Sequence, residues 1–93
     1  MASTTNQVAS QIVKEQALII GPIAWEEAQK VKGLKVDMES QQVTVEGTPR
    51  EVLEKLVAQY ERLFGLASRD VCREAVRPLI SQVPQEEIPA VLR

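Results

Sequence analysis

The side chains that could carry chemistry in this 93-residue chain are one cysteine, several carboxylates and a set of arginines, and no histidine is present. Without histidine, Ser-His-Asp and Cys-His catalysis and histidine-based metal sites are excluded. Cys72 lies between Arg69 and Arg73, early in a predicted helix, where positive neighbours and the helix N-terminus lower a thiol pKa. A reactive thiol is one hypothesis. A buried structural cysteine is the favoured one, because Cys72 falls on an apolar stripe.

Carboxylates occur in three close pairs, which are Glu26 with Glu27, Glu51 with Glu54, and Glu86 with Glu87. Paired carboxylates can do acid–base work or hold a divalent cation. Since most of these pairs fall on predicted polar helix faces with basic neighbours, we interpret them as solvated surface. The sequence therefore predicts no catalytic residue, no metal site and no cofactor.

Arg69, Arg73 and Arg77 recur every four residues and form a basic ridge beside the apolar stripe of one helix. Such a ridge could contact phosphates or an acidic partner. Asp70 and Glu74 neutralise part of it, and no aromatic residue is interleaved for base stacking. The ridge is thus predicted to face a protein partner or solvent, with nucleic-acid binding as the alternative.

Composition and charge limit the function classes further. With 44% hydrophobic and 26% charged residues, the chain is predicted to fold as a single domain over residues 1–93, with residues 1–6 flexible. A net charge of −2 gives no general attraction to nucleic acid or an anionic membrane. One cysteine suits a reducing compartment, and no apolar run approaches the ~20 residues of a membrane span. The N-terminus lacks a signal-peptide pattern, so we expect a cytoplasmic protein.

A strand, a turn and a capped helix over residues 43–64 organise the rest of the chain. Val43 and Val45 alternate with polar residues as in a half-buried strand. Thr48 and Pro49 suit the N-cap and first position of a helix, and Gly65 suits its end. The apolar stripe predicted for this helix comprises Val52, Leu53, Leu56, Val57, Tyr60, Leu63 and Phe64.

Further elements are predicted on both sides. A short helix spans residues 22–31, with Ile23 facing the core, and strand 34–38 forms a hairpin with strand 42–46. A helix capped by Ser68 follows and ends or kinks near Pro78. One or two helical turns complete the chain.

Residues 16–20 are compatible with two structures. An apolar run containing two isoleucines and ended by Gly-Pro suits a buried strand, and equally the last turn of a helix that starts near residue 5. The strand interpretation gives an α+β fold, a ferredoxin-like half unit (β-α-β-β-α) with extra N- and C-terminal helices. The helix interpretation gives a mainly α fold with one β-hairpin. We favour the strand because Ile19 and Ile20 are paired β-branched residues, and a second reason is that a lone hairpin is marginal in water.

The order of these elements resembles the heavy-metal-associated domain, chiefly through VDMESQQVTVEG at residues 36–47 and the helix after it. That family binds its metal with a Cys-x-x-Cys loop between the first strand and the first helix. The matching segment here, residues 21–25, contains no cysteine. The resemblance therefore implies a shared architecture without the metal site.

Taken together, these features predict a small non-enzymatic cytosolic interaction, adaptor or regulatory domain that acts by protein–protein contacts as a homodimer. Trp25, the only tryptophan, is a candidate partner contact because tryptophan is enriched at binding hot spots, although core packing suits it as well. Arg69, Arg73 and Arg77 are the other candidate contacts. The alternative is a nucleic-acid-binding regulatory protein that uses these arginines.

Overall fold

Four α-helices and one antiparallel hairpin make up most of the computed structural model, which describes residues 4–92. The elements are α1 (Thr4–Ile20), α2 (Ile23–Gln29), β1 (Leu34–Asp37), β2 (Gln42–Val45), α3 (Pro49–Phe64) and α4 (Ala67–Val76), followed by 3₁₀ turns at Ile80–Gln82, Gln85–Glu87 and Ala90–Leu92. The fold is a small, mostly helical α+β structure. Among the described residues, no helix has both the length and the apolar content needed to cross a bilayer.

The strand expected at residues 16–20 is wrong, because α1 continues through Ile20. Gly21 ends the helix with φ +82°, and its N–H donates to the carbonyl of Ala17 at 2.9 Å. A buried stripe that includes Ile12, Val13 and Gln16 docks this helix on the core, and such packing outweighs the weak β preference of two isoleucines. The sheet of residues 4–92 therefore has two strands. The β-α-β-β-α order is not formed within these residues, and the architecture expected from the heavy-metal-associated domain is not confirmed.

The hairpin matches the prediction closely. Leu34 pairs with Val45 and Val36 with Val43, so these four apolar side chains lie on one face. The turn has no Asn-Gly signal. Instead, Oδ1 of Asp37 accepts the N–H groups two and three residues further on, and Gln41 adopts a left-handed conformation with φ +56°.

The outer edge of β2 is covered by side chains of α1. Asn6 Oδ1 accepts the N–H of Val45 at 2.8 Å, and Ser10 Oγ accepts the N–H of Val43 at 3.0 Å. Thr5, in the same first turn of α1, is buried. Of the segment 1–6 that was expected to be flexible, residues 1–3 lie outside the described residues.

The hydrophobic core is aliphatic apart from Trp25 and Tyr60. Tyr60 is fully buried, and its hydroxyl donates to the carbonyl of Ala24 at 2.6 Å, which joins α3 to α2.

Of the two boundaries predicted for α4, the start is wrong and the end is confirmed. Ser68 does not cap α4, because the helix starts at Ala67 and Ser68 is buried inside it. The end of α4 at Val76, just before Pro78, is as predicted.

Candidate functional site

Exposed apolar side chains are concentrated at one end of the molecule. Seven large hydrophobic residues are well exposed within residues 4–92, and six of them lie in the connections α1–α2 and α3–α4 or in the helical turns beside them. These six, which we call the apolar end, are Leu18, Ile19, Ile23, Leu63, Phe64 and Leu66, with exposed fractions between 37% and 79%. Ile23, Leu63 and Phe64 were expected in the core, and the structure corrects that assignment.

Two buried hydrogen bonds hold the two connections side by side. Gln16 Nε2, near the end of α1, donates to the carbonyl of Ser68 at 3.0 Å, near the start of α4. The bond from Tyr60 to Ala24 joins the end of α3 to the start of α2 in the same way. Since each bond lies within a few residues of a connection, the exposed side chains of both connections share one end of the fold.

The two stretches that supply the apolar end, residues 16–25 and 63–68, contain no charged residue, although 26% of the chain is charged. The carboxylates of Glu15, Asp70 and Glu74 line a depression beside Ile19. These two uncharged stretches were a signal in the sequence, but only the fold shows that they are adjacent. Exposed apolar surface that is this large and this poorly charged is typical of contact sites between proteins.

Trp25 lies mainly in the core, with 5% of its surface exposed. Its remaining edge lines a shallow depression of about 410 Å³ together with Leu18 and Gln41. Trp25 is therefore a core residue whose exposed edge lines the same depression as Leu18.

Each arginine of the predicted ridge has an acidic neighbour. Arg69 forms two hydrogen bonds to the Glu61 carboxylate, at 2.8 and 3.2 Å, which join α4 to α3. Arg77 pairs with Glu74 at 2.7 Å.

Arg73 connects α4 to the C-terminal turns. One guanidinium nitrogen donates to the carbonyl of Val91 at 3.4 Å, and another lies 3.8 Å from Asp70. Its Nε is buried without a hydrogen-bond partner. The three arginines therefore make intramolecular contacts, and the structure does not bring them together with Trp25.

Cys72 is completely buried. Removal from water raises the pKa of its thiol to about 11, and the hydrogen bond from Gln16 Nε2, at 3.3 Å, opposes that rise only partly. A thiol with this pKa is protonated at neutral pH, and the thiolate is the reactive form. The geometry favours the structural interpretation of Cys72 over the reactive one.

The carboxylate pairs do not assemble into a site. Glu27 is buried and accepts hydrogen bonds from Lys30 and Gln59, whereas Glu26 is exposed. Glu87 accepts from Thr5. Within residues 4–92, no group of three or more His, Cys, Asp or Glu side chains is placed to hold a metal ion.

Sequence reasoning missed one further cluster. Lys30, Lys32, Lys55 and Arg62 surround a depression between the end of α2 and the exposed face of α3. Lys55 and Arg62 are seven residues apart on one helix, a spacing that places them on the same face. The approach of Lys30 and Lys32 depends on the packing of α2 on α3, and the local sequence does not encode it.

Comparison of the chain with protein-family models, with curated proteins and with solved structures gives no match in any of the three cases.

Proposed function

We propose that this chain is a non-enzymatic interaction domain that acts by protein–protein contact, and that its partner at the apolar end is a second copy of itself. The observation that carries the proposal is the convergence of six exposed apolar side chains, from two uncharged stretches, on one end of the fold. Burying such side chains on association is the main source of interface stability.

The lack of charge favours a second copy as the occupant. In a two-fold dimer the same patch meets itself, so a charged patch would place like charges opposite each other. None of the six residues of the apolar end is charged, and the carboxylates of Glu15, Asp70 and Glu74 lie at its border beside Ile19. The charged residues that flank the two stretches are Glu15, Glu26, Arg62 and Arg69, two of each sign, so that a polar rim around the apolar end would carry both charges.

The area of the apolar end also suits a dimer. Six side chains with these exposures offer several hundred Å² of apolar surface, which is the range of the largest patches on monomeric proteins. A standard interface takes about 800 Å² from each partner, and only its centre is strongly apolar. The apolar end is large enough to form that centre.

Nucleic-acid binding through Arg69, Arg73 and Arg77 is the weaker candidate. Free cationic groups are what such a surface offers to phosphates, and here each arginine lies next to a carboxylate of its own chain. The adaptor or regulatory role and the cytoplasmic location are part of the proposal. The location is supported by a single cysteine that is free and buried, as suits a reducing compartment.

The experiment is sedimentation-velocity ultracentrifugation over a dilution series of the wild-type chain and two variants. Leu66→Glu places a charge in the apolar end at a side chain that is 69% exposed. Met38→Glu is the matched control, since Met38 is also an exposed apolar residue but lies at the hairpin turn. We expect a wild-type dimer that Leu66→Glu dissociates at least about tenfold more easily, the cost of burying a charge.

Met38→Glu is expected to dimerise like the wild type, and the helical circular dichroism of both variants should be unchanged. A wild-type chain that stays monomeric at about 1 mM, where even a weak association would register, would overturn the dimer. Equal weakening by both variants would place the interface elsewhere.

A further inference from the structure

The cluster of Lys30, Lys32, Lys55 and Arg62, which we call the basic depression, lines an open surface depression of about 270 Å³. Val31, Ala58 and Gln59 complete its lining, and no carboxylate is among the lining residues. In a chain with 13 acidic and 11 basic residues, four cations around one concave surface without an acidic group are a marked separation of charge. Such a concavity concentrates positive potential.

A chain of hydrogen bonds restrains two of the four cations. Lys30 Nζ donates to Glu27 Oε2 at 3.0 Å, and Gln59 Nε2 donates to Glu27 Oε1 at 2.8 Å. Arg62 then donates to Gln59 Oε1 at 2.8 Å. The series Lys30–Glu27–Gln59–Arg62 thus connects α2 to α3 below the basic depression. It restrains Lys30 and Arg62, two of the lining residues, before any ligand arrives, which reduces the ordering cost of binding.

Glu27 is the nearest carboxylate and sets the charge balance. The hydrogen bond from Lys30, with that from Gln59, holds the pKa of Glu27 below its usual value, so this group is ionised at neutral pH. It is largely buried and offsets one of the four cations. Glu51 and Glu54 line a neighbouring depression on the far side of Lys55 and limit the positive region there.

We propose that the basic depression binds a compact oligophosphate, an anion with two or three linked phosphate groups. Lysine and arginine are the usual partners of phosphate oxygens, and three of the four cations here are lysines, which act as point charges without a fixed angular requirement. Linked phosphates supply several negative charges in a small volume, which matches an excess of positive charge in a space smaller than the ~300–1,000 Å³ of drug-sized pockets.

The lining residues also favour a compact anion over a nucleic acid. No aromatic side chain is present to stack a base, so recognition would rest on the phosphates alone. None of the lining residues belongs to the apolar end, and the proposal is therefore independent of dimerisation. It can be right or wrong whatever the oligomeric state.

The test is a titration of the ¹⁵N-labelled chain with sodium tripolyphosphate, followed by amide chemical shifts and by calorimetry at about 50 mM and about 300 mM salt. We expect the largest shifts at Lys30, Lys32, Lys55 and Arg62, with weaker binding at the higher salt. Lys55→Glu should reduce the affinity at least about tenfold, since the reversal replaces an attraction with a repulsion at contact distance.

Arg50→Glu is the matched control. It makes the same change of charge at another exposed position of α3, outside the basic depression, and should alter the affinity less than about threefold. Lys55→Gln repeats the test if Lys55→Glu does not fold. Equal losses from both positions, or shifts spread over the whole surface, would mean non-specific attraction and would overturn the proposal. So would tighter binding of a short oligothymidylate than of tripolyphosphate at the same four residues, an outcome that would assign the site to nucleic acid.

Discussion

The backbone N–H of Val45 donates a hydrogen bond to Oδ1 of Asn6 at 2.8 Å, across 39 residues of sequence. Two residues earlier in β2, the N–H of Val43 donates to Oγ of Ser10. Four residues of α-helix rise about 6 Å, and two residues of strand rise about 6.8 Å. The two repeats are similar enough for polar side chains on one helix face to pair with successive outward N–H groups of β2. Helix α1 thereby takes the place of a third strand.

Removing one of these helix side chains should weaken the sheet. We expect Ser10→Ala to lower the free energy of unfolding by about 1–3 kcal/mol, because the Val43 N–H loses its acceptor in a largely buried position. Gln7→Ala, an exposed change in the same helix, should stay within about 0.5 kcal/mol of the wild type. Urea unfolding followed by circular dichroism measures both. If Ser10→Ala and Gln7→Ala have the same stability, the hydrogen bond to β2 is not contributing.

Gly33 should tolerate a methyl group much less well than Gly21. Both have a positive φ, +90° and +82°, which alone costs an alanine about 1–2 kcal/mol. A Cβ at Gly33 would also lie 2.7 Å from the carbonyl oxygen of Glu46 and 2.8 Å from a methyl of Val52, whereas nothing lies within 4 Å of a Cβ at Gly21.

Thermal and urea unfolding of Gly33→Ala and Gly21→Ala isolate this difference, since the conformational cost is shared. We expect Gly33→Ala to lose at least about 1 kcal/mol more, as overpacking against backbone forces a shift. Similar losses in the two variants would show that the strand end at Glu46 moves freely.

Cys72 should make the stability of the chain fall at alkaline pH. Burial raises the pKa of the thiol from 9.0 to about 11. Below pH 9 both the folded and the unfolded chain hold the proton, so this group causes no pH dependence. Above pH 9 the unfolded chain releases it first, and the free energy of unfolding should fall by up to about 1.4 kcal/mol per pH unit until about pH 11.

Cys72→Ala provides the control for this pH dependence. The variant is expected to be less stable at every pH, because it leaves a cavity, but to have a flatter profile between pH 9 and 10. Tyr60, whose pKa is also raised by burial, adds its own loss above pH 10, so the comparison belongs below that value. An unchanged slope in Cys72→Ala would assign the alkaline loss to other groups.

The elements that were predicted correctly carry their signals locally. Gly65 has a positive φ at the end of α3, Pro49 opens that helix, and the alternation of Val43 and Val45 is visible in four residues. Thr48 occupies the predicted N-cap position, although its side chain makes no capping hydrogen bond to the helix. Backbone preferences decide such features without help from distant residues.

The errors concern residues whose structure depends on distant partners. Ile19 and Ile20 favour a strand by themselves, yet they extend a helix that is fixed by burial of Ile12 and Gln16 further back. The outward N–H groups of β2 need hydrogen-bond acceptors, and the expected third strand would have supplied them. Asn6 and Ser10 supply them instead, and no local pattern in the first ten residues indicates a sheet partner.

The candidate sites likewise combine features that the local sequence shows with features that depend on distant residues. Arginine periodicity was visible in the sequence, but the partners that occupy those arginines, such as Glu61 for Arg69, come from another helix. Likewise, the apolar end and the basic depression each combine two stretches that are remote in sequence. Which surfaces exist at all is therefore decided by the packing of α1 on α4 and of α2 on α3.

The division of β2 between two neighbours has a consequence for amide hydrogen exchange. The N–H groups of Gln42 and Thr44 point toward β1, while those of Val43 and Val45 point toward α1. Exchange at the first pair reports separation of the strands, and exchange at the second pair reports departure of the helix. The exchange rates of alternate residues in β2 therefore report two different opening motions of the molecule.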